Sequence, residues 1–323
     1  MKTLLLVLLV ALATPLAQGE GPVDETRFSL RHEMLRMINH DRKEHGLAPV
    51  ELDPEVSVMA DRYCARQIRN GTTGHFTIDG QAPYMRYSFG GGNDGVSENA
   101  AAWSANYRFS DRALYEMMRR SQETMMAEAA PHDGHRRTIL DPNATHVGIG
   151  LAWEGGEFRL TQEFVRRYVS WSRPLPRAAA AGEPVIGIGR PNKGYRIEAI
   201  SVHHEPIPQS ISPITANLIS NYSLPDKRRD YLPRLRSYFH REGSVVREVR
   251  EEYTDGRRGD FSLAADGTFT FKVPFIDGPG VYTVVVWVAK PGDESPIAAS
   301  NISIRVDGPA TYTAGMISAG GGR

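Results

Sequence analysis

Cysteine is almost absent from this chain: Cys64 is the only one among 323 residues. No disulfide can form within the chain, so domains of ordinary size would have to rely on their apolar cores. Cys64 lies in a helical pattern beside Tyr63 and Ala65. This setting predicts a small buried side chain rather than a reactive thiol.

Net charge is also absent, since 38 basic residues are balanced by 38 acidic ones. No segment gathers basic residues into a face that would attract a polyanion, so we expect no nucleic-acid partner. Three catalytic signatures are missing as well: the HExxH helix, the GxSxG elbow and the GxxxxGK[ST] phosphate loop. The sequence therefore carries no signature of the HExxH zinc proteases, the GxSxG serine hydrolases or the P-loop proteins.

Long apolar runs are absent except at residues 4–13, which follow Lys2 and precede the small-residue segment Ala17-Gln18-Gly19. This pattern predicts a secretory signal peptide over residues 1–19. The run is too short to span a bilayer permanently, and no later run is longer. We therefore expect a protein secreted to the extracellular space or periplasm, without a transmembrane segment.

The first half of the chain alternates helical and strand patterns. Helical spacing covers residues 25–45, about 54–69 and 111–128, with Asp53 and Ser110 as N-cap candidates. Past Pro142, the residues Val147, Ile149 and Leu151 alternate with glycines and predict a strand. Helices flanking strands indicate a layered α/β domain, which we place at residues 25–171.

The second half is dominated by strand patterns. Residues 172–183 hold prolines and an alanine run without amphipathic spacing, which predicts a linker. Strand signals follow at 195–203, 269–273, 281–288 and 301–306, and residues 281–288 are apolar on both faces, as in a central strand. We expect an antiparallel, Ig-like β-sandwich over residues 184–307 and a flexible tail at 308–323, so that the whole chain is α+β.

Three short clusters in the first domain could carry chemistry. They are the segments Gly74-His75-Phe76, Ser97-Glu98-Asn99-Ala100 and Gly134-His135-Arg136. Imidazole and carboxylate groups bind divalent metals such as zinc. Chemistry alone is a weak argument, because a chain with ten histidines offers many such combinations and most would be caps or core residues.

The order of these clusters resembles the CAP superfamily, the cysteine-rich secretory, antigen 5 and pathogenesis-related 1 proteins. The stretch GHRRTILDPNATHVGIG at 134–150 is typical of its bacterial branch, and the resemblance covers about residues 30–168. It implies an α/β/α sandwich with a cleft lined by two histidines and two acids, where several members bind a divalent cation. It assigns His75, Glu98 and His135 to that cleft.

The second acid of the cleft stays open at this point. The resemblance places it in the helix after the Glu98 segment, which offers Glu116, Glu123 and Glu128. Glu116 lies at nearly the expected distance from His135, so we predict that Zn²⁺ or another divalent cation is held by His75, Glu98, His135 and Glu116. Asp133 could substitute as the acid, although a loop-capping role suits it better.

Three functions fit these residues. The one that we favour is a non-enzymatic secreted module, whose cleft binds a cation and a small or peptide-like ligand while the β-sandwich attaches to a partner. The second is a metal-dependent hydrolase, with Glu98 as base toward zinc-bound water. The third is lipid or sterol carriage in a groove lined by methionines of the third helix, although a methionine-rich helix is more often core. These methionines are Met117, Met118, Met125 and Met126. A peptide, a polymer or a lipid are thus the candidate ligands.

Overall fold

The structure, a computed structural model, describes residues 25–308. The predicted signal peptide at 1–19 and the tail beyond Gly308 lie outside the described residues. Within 25–308, none of the helices combines the length and the apolar character that a bilayer crossing requires.

The first domain contains five helices and four strands in the described part of the chain. The helices are α1 (Glu25–Glu44), α2 (Pro54–Asn70), α3 (Pro83–Phe89), α4 (Asp111–Met126) and α5 (Gly134–Ile139). The strands are β1 (Glu51–Leu52), β2 (Gly95–Ser104), β3 (His146–Glu154) and β4 (Glu157–Arg166). The mixed helix and strand content confirms the predicted fold class, whereas α3, α5, β1 and β2 were not predicted.

The predicted capping residues begin their helices. The side chain of Asp53 accepts a hydrogen bond from the Val56 N–H at 3.0 Å, and Pro54 occupies the first helical position of α2. Ser110 does the same for the Ala113 N–H at the start of α4. These side chains satisfy amide groups that a helix leaves without an internal partner, so each helix starts where the sequence predicts.

The four strands form one sheet in the order β1-β3-β4-β2, with only the β1–β3 pair parallel. Helix α2 packs so closely on β3 that a Cβ atom added to Gly148 or Gly150 would lie 2.4 Å from Val56 or Ala60. Helices α1 and α4 pack with the alternate residues Ile149 and Leu151 in a separate core. The glycines therefore face one helical layer and the large residues face the other.

The methionines of α4 belong mainly to this core. Met118 and Met125 are buried against α1 and the sheet, and Met117 and Met126 pack at its margin. Cys64 is buried on the opposite face of the sheet, beside the Thr161 hydroxyl, and burial raises the pKa of its thiol to about 12. Both features agree with structural rather than chemical roles.

The second domain is rich in strands. They are β5 (Val169–Arg173), β6 (Ala178–Ala180), β7 (Val185–Pro191), β8 (Arg196–Glu205), β9 (Arg228–Tyr231), β10 (Ser237–Glu242), β11 (Val245–Arg250), β12 (Ser262–Leu263), β13 (Phe269–Val273), β14 (Gly280–Ala289), β15 (Ile297–Ala298) and β16 (Ile302–Asp307). One short helix, α6 (Pro213–Leu218), lies between β8 and β9.

These strands build two sheets around a common core, with β10 and β11 as a separate hairpin. The sheets have the orders β12-β13-β7-β5 and β6-β16-β14-β8-β9. Aromatic and β-branched residues from both sheets fill the core between them, including Phe269 and Phe271 of β13 and Tyr282 and Val284 of β14. Strand β14 pairs with β8 on one side and β16 on the other, which confirms the central position predicted for 281–288.

The second apolar face of β14 has a specific explanation. Val281 packs with Val56, Tyr84 and Val96 of the first domain, whereas Tyr282 points into the sandwich core. One face of the strand thus covers its own domain and the other docks the two domains together. The apolar residues on both faces of β14 therefore reflect a domain interface as well as a central position in the sheet.

The segment predicted as a linker, residues 172–183, is part of the second domain in the structure. It includes the end of β5, which pairs with β7, and β6, which pairs with β16. Arg177 donates hydrogen bonds to the Ser88 carbonyl at 2.6 Å and the Gly92 carbonyl at 2.7 Å, at the end of α3. The alanine run lacks an amphipathic pattern because it pairs through its backbone at a sheet edge.

Candidate functional site

His75 lies in the loop between α2 and α3, and α2 holds that loop in place. The Tyr63 hydroxyl and the Gln67 side-chain amide both donate to the Gly74 carbonyl, at 2.6 Å and 2.7 Å. The adjacent His75 ring is thereby directed toward β2, where its Nδ1 lies 2.8 Å from the Glu98 carboxylate. Because a carboxylate accepts hydrogen bonds, the proton of this pair belongs on Nδ1.

The carboxylate of Glu98 belongs to a buried charge cluster. Glu98 of β2 lies directly opposite Glu163 of β4, and two like charges in that register repel each other. Arg86 of α3 pairs with Glu98 and, at 3.2 Å, with Glu163, while its guanidinium stacks on the Tyr63 ring with 3.5 Å to the ring centre. A single arginine therefore compensates both acids, and burial leaves the pKa of Glu163 raised.

His75 is neutral at physiological pH. Burial, together with the nearby Arg86 charge, lowers the pKa of its imidazole to about 4. The Glu98 carboxylate, which would favour the protonated ring, is already balanced by Arg86. A neutral ring with its proton on Nδ1 has a free lone pair on Nε2, which is the group that binds a metal or accepts a proton.

His135 occupies the start of the short helix α5, and Glu128 holds it there. One oxygen of Glu128 lies 2.5 Å from His135 Nδ1, and the other accepts the His135 backbone N–H at 2.9 Å. The carboxylate thus orients the ring and also caps the helix that carries it. The His75 and His135 ring centres lie 6.3 Å apart.

Glu128, rather than Glu116, is the acid that the structure places in the cleft. Glu116 lies near the start of α4 on its outer surface, where hydrogen bonds from Arg119 and Arg120 lower the pKa of its carboxyl to about 2. Glu128 follows the end of α4, at the point where the chain turns toward α5. Asp133 lines the same cavity but pairs with Arg137 at 3.2 Å instead of capping α5.

Asn99, the residue after Glu98, connects β2 to the segment that carries His135. Its side-chain amide donates to the His135 carbonyl and to the Gln162 side chain, both at 3.1 Å. Strand β2 therefore positions one histidine through Glu98 and the helix of the other through Asn99. Two adjacent residues of one motif link the two clusters that the sequence placed far apart.

The two histidines line a cavity of about 1050 Å³. Most of its wall comes from the first domain, between β2 and the chain around α5. Ser220, Asn221 and Tyr222 of the second domain complete the wall. No local motif marks Arg86 or Tyr222 in the sequence, because their partners are distant in the chain.

The four predicted metal ligands do not surround one point. Among residues 25–308, no group of three or more His, Cys, Asp or Glu side chains is arranged to hold a metal ion. What the cleft offers is two imidazoles, each with Nδ1 on a carboxylate, an arrangement that orients metal-binding histidines. Two imidazoles on one tetrahedral ion would have their ring centres ~5 Å apart, so the two rings, 6.3 Å apart here, would have to move closer to share an ion. The acids then orient ligands instead of binding the metal, and metal binding stays a prediction.

Comparison with known protein sequences agrees with the motifs of the first domain. Residues 35–164 match the sequence model of the CAP, or cysteine-rich secretory protein, family. The first domain is a CAP domain. An uncharacterized protein from Bacillus subtilis strain 168, YkwD, is 25% identical over 134 residues, which are 41% of this chain and 46% of that protein. The chain thus spans less than half the length of this bacterial relative.

Two solved bacterial structures are similar to the CAP domain. An extracellular protein with an SCP domain from Bacillus anthracis strain Ames is 17% identical, covering 46% of this chain and 45% of that one, with a TM-score of 0.32. A cysteine-rich secretory protein from Staphylococcus aureus strain Mu50 is 18% identical, covering 46% and 42%, with a TM-score of 0.31.

Proposed function

We propose that this CAP-domain protein is secreted and that its cleft binds a divalent cation through His75 and His135, beside a small or peptide-like ligand. One observation carries the proposal: two histidines at the same cavity each have Nδ1 occupied by a carboxylate, which leaves Nε2 as the ligand atom. The cavity volume of about 1050 Å³ is large enough for the ion and an organic ligand together. The apolar run at residues 4–13 supports export.

A binding function fits better than hydrolysis because of the surroundings of Glu98. A hydrolase would need this residue as a base toward bound water. In the cleft, one Glu98 oxygen is hydrogen-bonded to His75 and the other to Arg86, and the side chain is fully buried. Both Glu98 oxygens are thus already bonded to His75 and Arg86, so neither is available as a base toward water.

Calorimetric titration of the full chain with Zn²⁺ tests the cation site. Wild type should bind zinc, and His75→Ala and His135→Ala should each lose most of the affinity, since each variant removes one of two protein ligands. His32→Ala, at an exposed position of α1, is the matched control and should bind like wild type. Equal binding by wild type and both cleft variants would contradict the assignment.

The same titration decides between the two candidate acids. Glu128→Gln should weaken zinc binding about 10-fold or more, which is the usual effect of losing a group that orients a metal-binding histidine. Glu116→Gln should leave the affinity unchanged, because Glu116 pairs with Arg119 and Arg120 at the surface of α4. The reverse order of effects would restore Glu116 to the cleft.

A further inference from the structure

A segment of the second domain lies across the loop that carries His75. This segment, residues 206–225, connects β8 with β9 and contains α6. The Ile211 N–H donates to the Ile78 carbonyl at 2.8 Å, and the Asn217 side chain bonds the backbone at Thr73 and Gly71, at 2.8 Å and 3.0 Å. The His75 loop is therefore hydrogen-bonded to the second domain as well as to α2 of its own domain.

The approach of this segment is close enough to require a glycine. Gly80 has a positive φ of 76°, and a Cβ atom there would lie 2.5 Å from the Gln209 carbonyl oxygen. A larger residue would have to push the segment away from the loop. This close fit indicates a specific contact between the second domain and the loop that carries His75.

Tyr222, near the end of this segment, reaches the cleft residues directly. Its ring packs edge-on against His75 with 5.0 Å between ring centres. Its hydroxyl oxygen accepts the Glu98 backbone N–H at 2.6 Å. Burial raises the pKa of this hydroxyl, so Tyr222 stays protonated and uncharged beside the neutral His75.

The hydrogen bond to Glu98 occurs at the open edge of the first sheet. Strand β2 is the outer strand, so alternate backbone N–H groups point away from β4 and need partners elsewhere. Two successive outward N–H groups receive side chains of the second domain: Asn301 accepts from Val96 at 2.8 Å, and Tyr222 accepts from Glu98. The second domain thus completes the strand that carries Glu98.

We propose that the cleft is shared by the two domains and that Tyr222 is a positioning residue, which fixes Glu98 and His75 against each other from the second domain. The β-sandwich then has a role inside the site, beyond any attachment to a partner. The effect on cation binding rests on the proposed function, whereas the positioning of Glu98 does not depend on it.

The test compares two tyrosines that bridge the domains. Tyr222→Phe removes the hydroxyl at the cleft, and Tyr84→Phe removes a hydroxyl that donates to Glu205 at 2.9 Å elsewhere on the same interface. Both are made in the full chain. Hydrogen exchange of the Glu98 amide, followed by NMR, and the absorption spectrum and affinity of bound Co²⁺ are measured for each variant.

Tyr222→Phe should speed exchange of the Glu98 amide and weaken Co²⁺ binding by about fivefold each, as expected for one lost hydrogen bond, and should shift the Co²⁺ absorption band. Tyr84→Phe should leave all three unchanged. Equal behaviour of the two variants, or a Tyr222→Phe variant identical to wild type, would overturn the proposal. If wild type takes up no Co²⁺, the proposed function fails, while the Glu98 exchange rate still decides whether Tyr222 positions the strand.

Discussion

His75 and His135 both place Nδ1 against a carboxylate, yet one pair is buried and the other is half-exposed. The side chains of His75 and Glu98 are 10% and 0% exposed, whereas those of His135 and Glu128 are 35% and 22% exposed. The buried pair needs Arg86, a sheet strand and the second domain around it. The exposed pair is held by the turn after α4, the start of α5 and the hydrogen bond from Asn99 of β2 to the His135 carbonyl. The same type of hydrogen bond therefore has many supporting contacts where it is buried and fewer where it is exposed.

This difference teaches which part of the cleft is rigid. His75 is held by α2, by β2 and by Tyr222. The charges of Arg86, Glu98 and Glu163, which lie on three different elements, balance one another beside it. His135 lies at the start of a helix of six residues, and the Glu128 carboxylate caps that helix. We expect His75 to be preorganised for a ligand and the α5 side of the cleft to adjust on binding.

Removing Arg86 should have the largest effect, because it would leave two buried acids facing each other. We expect Arg86→Met to lower the free energy of unfolding by ~3–5 kcal/mol, the usual loss when one partner of a buried pair is removed. Arg119→Met is the control, since Arg119 pairs with Glu116 and Glu123 at the surface and its removal should change the stability far less. Urea unfolding of the full chain measures both, and equal losses would show that the Arg86 cluster is not a supporting charge network.

The next effect in size is the pH dependence that His75 imposes. Its pKa is about 4 in the folded protein against 6.5 as the ordinary value, so the unfolded chain binds a proton more readily. The stability present above pH 6.5 is therefore lost as the pH falls from about 6.5 to about 4, by up to ~3 kcal/mol. Unfolding free energies across this range should fall more steeply for wild type than for His75→Gln. The exposed His32→Gln should follow wild type, and parallel curves for all three would refute a buried neutral His75.

Local signals in the sequence were enough for α1, α2, α4 and β3, whereas three residues of the cleft were assigned through the family resemblance. Asp53 and Ser110 marked helix starts through their capping side chains, and alternation around Ile149 marked the central strand. His75 and His135 were placed by short motifs in a fixed order. Such features work because neighbouring residues determine them.

Other features depend on contacts between distant residues and left no local signal. Glu116 and Glu128 both lie in the segment 111–128 that the sequence pattern predicts as one helix. In the structure α4 ends at Met126, and Glu128 lies beyond that end, where the chain turns toward α5. Residues 172–183 resembled a linker because backbone pairing at a sheet edge needs no side-chain pattern. Tyr222 reaches Glu98 only because the two domains dock.

The proton position on the two rings tests the cleft most directly. Long-range ¹H–¹⁵N correlation spectra of the metal-free full chain near pH 7 distinguish Nδ1–H from Nε2–H in each histidine. The arrangement seen here predicts a protonated Nδ1 in both His75 and His135, and a bare Nε2 in His75. A bare Nδ1 with a protonated Nε2 in His75 would contradict it, because Glu98 would then not hold the ring and Nε2 would have no lone pair for a cation.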